Sequence, residues 1–390
     1  MTMLAQLVAG KKLIVCVGAG GVGKTTTAAS LALRAALSGR RALVLTIDPA
    51  KRLANALGLD RIGSVATGID LGGRAAPGGA LDAMMLDPRA TLDDVVRRVS
   101  PSPQVRDALF ANRIYRHIAG SFSGSQEYMA SEQLYDVALS GRYDLVVLDT
   151  PPVKNALDFL DSPGRLTRFL DAQVIKWFLA HEEQGMGRRL LASTSAVVYG
   201  LLGHVFGREF LDDLAAFFRL FGELVDGFRV RHEAVARMFG APTTAFVVVS
   251  APTESASEVA GYFLEELRAR RMPAAALVVN QVHALLVEPV DVVATLGDTV
   301  VSEVRTAVGE GSASDARERL TREVLRHLGE AHAQLRDVAR DERARVQVLR
   351  ARAGVSVPAV VVPRVRGEVH DLDGLVGLHR ALFDDPRAWL

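Results

Sequence analysis

The chain has one cysteine, Cys16, among 390 residues. A single thiol excludes an intramolecular disulfide and any cysteine-built metal site within one chain. It fits a reducing compartment, so the cytoplasm is the expected location. Charge of one sign is also lacking: 46 Lys and Arg stand against 45 Asp and Glu, a formal net charge of +1. No global field draws the protein to nucleic acid or acidic lipid, and no nucleic-acid partner is expected. Long hydrophobic runs are missing too. The longest weakly polar stretch, Leu190 to Phe206, carries Ser, Thr, Gly and His204 and falls short of the roughly 20 residues that span a bilayer. It reads as a helix of the interior or of a groove, so no integral membrane segment is expected. The amino-terminal MTMLAQLVAGKKLIVCVGAGG is broken by Lys11 and Lys12 and runs quickly into glycines. That is a strand entering a loop, not a signal peptide.

What is present is the balance of a globular protein, 49% hydrophobic and 23% charged. The length suits two or three domains, or one domain with a large insertion. Six apolar runs are continuous and mostly Val-rich: Leu13 to Val17, Ala42 to Thr46, Leu145 to Leu148, Ala245 to Ser250, Ala276 to Asn280 and Ala359 to Val362. Strands covered by helices on both faces have this pattern. Helical patterns lie between them, so the expected class is α/β, a doubly wound, mostly parallel sheet.

Three stretches contain no such run. Residues 88–140 and 164–240 read as helical, and 299–355 as a charged helical segment, a long solvated helix or a hairpin. Gly68 to Gly79 reads as a loop. Phe210, Leu214, Phe217, Phe221, Leu224 and Phe228 recur at steps of three and four, on one helix face. That stripe either packs on the sheet or a sister helix, or offers a surface to an apolar client. His117, His181, His204 and His232 are scattered without metal spacing.

Chemistry concentrates at Gly18-Ala19-Gly20-Gly21-Val22-Gly23-Lys24-Thr25, a match to G-x-x-x-x-G-K-[ST] between an expected strand and an expected helix starting at Thr26. Glycines let backbone N–H groups wrap phosphates, and the helix N-terminus favours an anion. Gly20, Gly21, Val22, Gly23 and Thr26 are therefore candidate nucleotide contacts. Lys24 would neutralise the β and γ phosphates, and Thr25 would take one Mg²⁺ position. Asp48, in TIDPAKR, and Asp149, in LVVLDTPP, follow apolar strands that would end on the same sheet edge. Asp149 would hold Mg²⁺ through water. Asp48 would orient the attacking water or take its proton, and is a further candidate at the metal.

Together these motifs resemble the arsenite-pump and tail-anchored-protein-targeting ATPases, the ArsA/Get type, which are akin to the ParA and MinD partition ATPases. GAGGVGKTTTAASLALRAALSGRRALVLTIDPAKRLANALGL is similar to that family's P-loop and switch I, and LDTPPVKNALDFLDSPGRL to its switch II. In LVVNQV, Asn280 stands at the family's adenine-reading position. VVPRVRGEVHDLDGL resembles the loop that closes over the base, starting near Pro363. The resemblance implies a P-loop fold with an inserted helical subdomain, cofactors ATP and Mg²⁺, and a dimer that closes on ATP and opens on hydrolysis. It divides the chain into core at 1–87, 141–163, 241–298 and 356–390, a helical insertion at 88–140, a helical subdomain at 164–240 and the charged segment at 299–355.

Three departures stand out. The family's signature lysine at the second P-loop position is Ala19 here. Both the zinc-clamping cysteine pair and the arsenite-binding cysteines are missing, and an As(III) site without thiolates is chemically unsuited. The expected function is an Mg·ATP hydrolase that controls a dimer and a helical surface. It would act as a homodimer, or as a heterodimer with a lysine-bearing paralogue, with a hydrophobic protein as a possible client. The alternatives are a regulatory subunit with little hydrolysis and a ParA/MinD-like positioning ATPase.

Overall fold

All six apolar runs become strands and lie side by side in one sheet. The structure, a computed structural model, describes residues 2–48, 52–121, 125–151, 207–284, 302–303, 306–307, 314–365 and 369–383. Its strands are β1 Leu13–Gly18, β2 Arg41–Thr46, β3 Thr67–Gly68, β4 Ala80–Met85, β5 Leu145–Asp149, β6 Thr244–Ser250, β7 Ala274–Val282 and β8 Ala359–Pro363. Their order across the sheet is β3-β4-β2-β5-β1-β6-β7-β8. Every pairing is parallel except β3 with β4.

Side chains of the central strands alternate between two apolar cores. Leu13, Val15 and Val17 of β1 point into one core, and Ile14 and Cys16 into the other. Both faces are dry, which is why these strands read as unbroken apolar runs. The helices α1 Met3–Gly10, α2 Lys24–Leu37, α3 Arg52–Ala56 and α12 Leu372–Phe383 cover the second face. The first face is covered by α4 Pro88–Val99, α5 Pro103–Ala111, α6 Arg113–Ser121, α7 Ser125–Leu139, α8 Arg208–Gly222, α9 Val225–Gly240, α10 Glu254–Ala269 and α11 Ser314–Ala353. Local chemistry starts several of them. Pro88 and Pro103 stand in first turns, where no N–H partner is needed, behind the caps Asp87 and Ser102.

Strand β4 differs from the sequence expectation, which ended a loop at Gly79 and named no strand after it. ALDAMM has no β-branched residue and is interrupted by Asp82. Its strand state comes from pairing with β2, a tertiary effect that overrides propensity. The charged segment is one helix from Ser314, 40 residues long, and not a hairpin.

The phenylalanine stripe spans a break between α8 and α9. Phe217, Phe221, Leu224 and Phe228 are buried, with Phe221 stacked on Phe217 and Phe228 at 5.3 and 5.5 Å. Phe210 remains 41% exposed. The packing reading therefore holds for most of the stripe. Behind it, the fully buried Glu132 accepts from Tyr128 Oη at 2.7 Å and Arg231 Nε at 2.6 Å. Arg231 also reaches Asp136, which pairs with Arg98, so one ion network joins α4, α7 and α9. The readings placed on Leu190 to Phe206, on most of switch II, on His181 and His204, and on residues 164–206 of the helical subdomain lie outside the described residues.

Candidate functional site

The parallel strands deliver their C-terminal ends to one edge, where a cavity of about 1090 Å³ opens. Its lining includes Gly21, Gly23, Lys24, Thr25, Thr26, Asp48, Thr150 and Asn280. Of the residues expected at the site, Gly20, Val22, Asp149 and Pro363 are not in this lining. Val22 and Asp149 lie buried behind it. Gly20 sits in the loop leaving β1, and Pro363 ends β8, where Arg364 and Val365 face the cavity instead.

The loop's shape depends on its glycines. Gly21 and Gly23 have φ of +76° and +91°, a region that costs any residue with a Cβ. A Cβ on Gly23 would stand 2.2 Å from Asn280 Nδ2. Helix α2 begins at Lys24 with no side-chain cap and no acidic residue in its first turn. Its leading N–H groups therefore face the cavity without an internal competitor, an arrangement suited to phosphate.

Beneath the loop, Asp149 is the hub. Its Oδ2 accepts from Thr25 Oγ1 at 2.8 Å and from Thr46 Oγ1 at 3.0 Å. Its Oδ1 is fully buried and, among the described residues, has no hydrogen-bond partner. Burial pushes this carboxyl up to about 6, against the pull of the two threonine hydroxyls and Lys24. A carboxylate oxygen of this kind fits the second shell of a hard cation, taking a hydrogen bond from a metal-bound water, with Thr25 as the direct ligand. The residues present therefore fit Mg²⁺ bound with a triphosphate.

Lys24 is buried, and its Nζ donates to Ala19 O at 2.7 Å. Burial holds its ammonium below the ordinary lysine pKa, and the Asp149 charge opposes that shift. Asp48 lies two residues beyond Thr46, the last residue of β2 and of the apolar run read from the sequence. Its backbone N–H donates to Thr46 Oγ1 at 3.2 Å, so Thr46 holds Asp48 and Asp149 at once.

On the β7 side of the cavity, Asn280 Nδ2 donates to Val22 O at 3.0 Å and Gln281 Nε2 to Gly21 O at 3.0 Å. These bonds tie the end of β7 to the phosphate loop. The buried Glu342 of α11 accepts from both the backbone N–H of His283, at 2.7 Å, and its Nδ1, at 2.8 Å. His283 Nε2 then faces Arg364 at 3.5 Å. Leu335, two turns before Glu342, lines the same wall. None of Thr46, Gln281, His283, Leu335 and Glu342 was singled out from sequence. Thr46 opens the quoted TIDPAKR and Gln281 adjoins Asn280 in LVVNQV, whereas Glu342 arrives from a helix whose charge pattern looks solvated.

Residues 11–292 match the family described as Anion-transporting ATPase. The ATPase GET3 of Malassezia globosa is 33% identical over 159 residues, 41% of this chain and 44% of that protein. The ATPase get3 of Aspergillus terreus is 33% identical over 156 residues, 39% and 43% of the two chains. The ATPase ASNA1 homolog 1 of Paramecium tetraurelia is 31% identical over 160 residues, 40% and 45%. Each alignment thus spans less than half of the relative. The family match covers well over half of this chain, and its glycine loop, aspartates and parallel sheet belong together: the protein is a member of the anion-transporting (ArsA-type) ATPase family.

Proposed function

We propose that this chain binds Mg·ATP along the sheet edge and hydrolyses it, and that the nucleotide cycle controls association with a second ATPase subunit. The observation that carries this reading is the Thr25–Asp149–Thr46 set beneath the glycine loop, with one carboxylate oxygen buried and unpaired. Lys24 leaves Ala19 O for the β and γ phosphates, while Gly20 to Gly23 and Thr26 wrap them. Thr25 would hold Mg²⁺ directly, Asp149 would hold it through water, and Asp48 would stand near it; the metal would supply neutralisation of phosphate charge. Asp48 orients the water and takes its proton as the oxygen–phosphorus bond forms and the β,γ bridge breaks. Asn280 reads adenine, and the loop after Pro363 closes on the base.

The described helices α4 to α9 act as the helical addition that moves with the cycle. The lone buried Cys16 suits a cytoplasmic home, and no described helix is long and apolar enough to cross a membrane. A hydrophobic protein client remains part of the proposal through the resemblance to the targeting branch. The mostly buried phenylalanine stripe gives it little support.

Ala19 divides the mechanism into two arrangements. Either the chain completes its own site as a homodimer, or a paralogue supplies a lysine across the interface. Steady-state phosphate release by the purified chain separates them, because turnover by the chain alone removes the need for a partner. With Asp48→Asn, kcat should fall at least about a hundredfold with KM for ATP little changed. An unchanged kcat would remove Asp48 from the chemistry. ATP binding without turnover, with or without a paralogue, would favour the regulatory-subunit reading.

A further inference from the structure

Phosphoryl transfer spreads negative charge over the migrating group, and enzymes answer it with fixed cations. The described cavity lining carries three lysine or arginine side chains: Arg364 faces His283 at 3.5 Å, and the other two, Lys24 and Arg52, stand beside Thr25 and Asp48. These two differ in character. Lys24 is a buried point charge at the head of α2. Arg52 opens α3, one turn beyond Asp48, and its side chain is 59% exposed over the cavity.

The root of Arg52 is fixed and its tip is loosely held. Leu53, Ala54 and Ala56 bury α3 in the second core. The guanidinium sits 3.7 Å from Asp48 Oδ2, an ion-pair distance too long for a good hydrogen bond. Its charge also reaches Lys24. After burial, Arg52 is the main neighbour holding that ammonium down, opposed by Asp149. An ordinary exposed i,i+4 pair is worth a few tenths of a kcal/mol. That role would explain the contact with Asp48. It would not explain a second cation turned into the space beside Lys24 and Thr25.

We propose that Arg52 is a catalytic residue that binds the γ-phosphate of the ATP held by its own chain, the second cation that Ala19 cannot supply. The inference rests on the hydrolase reading above. Water oxygen bonds to the γ phosphorus, the bond to the β,γ-bridging oxygen breaks, and that electron pair leaves with ADP. The water proton passes to Asp48 and then to the product phosphate or solvent. Arg52 keeps its protons throughout. Its planar fork donates to the equatorial oxygens as the charge moves.

The test compares the wild-type chain with Arg52→Ala and Arg52→Lys. For Arg52→Ala, kcat should fall roughly a hundredfold to a thousandfold while KM for ATP moves little. Arg52→Lys should recover part of the loss. Affinity for ADP with aluminium fluoride, a mimic of the transferring phosphoryl group, should fall in step with kcat. Affinity for ADP alone and the thermal midpoint should stay unchanged, which a merely structural role would not produce. Mixing Arg52→Ala with Lys24→Ala chains should restore nothing, because each site then lacks one of its own cations. Recovery on mixing would place Arg52 across an interface and overturn the assignment, as would a wild-type chain that binds ATP yet hydrolyses it no faster than Arg52→Ala. If wild-type and Lys24→Ala chains both fail to bind ATP, the hydrolase reading itself has failed.

Discussion

Replacing Asp149 with Asn is expected to make the nucleotide-free, metal-free protein more stable at pH 8, not less. Burial raises this carboxyl from 3.8 to about 6 in the folded chain. Below 3.8 both folded and unfolded chains hold the proton, and no penalty exists. Between 3.8 and about 6 the folded chain holds a proton that the unfolded chain has lost, so stability falls as pH rises. Above about 6 both are ionised, and a shift of this size costs about 3 kcal/mol. Asn mimics the neutral carboxyl and escapes that cost. Urea unfolding in chelator should show the variant ahead by up to about 3 kcal/mol at pH 8, with the gap closing towards pH 4. Addition of Mg·ATP should reverse the ranking, since the variant loses the carboxylate that accepts from the metal's water. A variant less stable than wild type at pH 8 without ligand would show that Asp149 is not a strained anion.

Gly18→Ala should damage the fold severely. Gly18 has φ of +154°, and a Cβ there would stand 2.0 Å from Val249 O. The obstacle is backbone, and it belongs to the central β1–β6 pair, where Gly18 lies opposite Val249. No rotamer change relieves it. The two strands must separate or slip, and their register carries both cores. A loss on the order of 3–5 kcal/mol is expected, together with loss of nucleotide binding, since Gly18 opens the phosphate loop. Gly21→Ala provides the contrast. Its φ of +76° is also unfavourable, but a Cβ there would meet nothing within 4 Å. It should cost only about 1–2 kcal/mol. Equal losses at the two positions in chemical denaturation would contradict this account of the strand pair.

The contrast between Gly18 and Gly21 also shows how far the sequence could be read. The motif marks both glycines, because phosphate loops need backbone N–H groups unobstructed. It does not say which glycine also lies against a neighbouring strand. The six strands were legible because each is buried on both faces, which forces a continuous apolar run. β4 was not legible because Leu81 and Ala83 turn inward while Asp82 serves Tyr143 Oη at 2.6 Å. Pairing with β2, not residue type, makes it a strand. At the site, Lys24, Thr25, Asp48 and Asp149 were found through local spacing. Thr46 was missed because a strand-end threonine is common, and its role exists only where β2 and β5 run in register, with Thr46 opposite Asp149. Glu342 was missed because α11 alternates charges along its whole length, and which of them turns inward depends on where the helix meets β7.

The central claim is that the glycine loop and Asp149 form an Mg·ATP site, and calorimetric titration tests it most directly. Mg·ATP should bind the purified chain with one nucleotide per subunit. Omitting Mg²⁺ should weaken binding, and Lys24→Ala should weaken it at least about a hundredfold in a chain that still unfolds cooperatively. Equal affinity in wild-type and Lys24→Ala chains, or binding indifferent to Mg²⁺, would contradict the account.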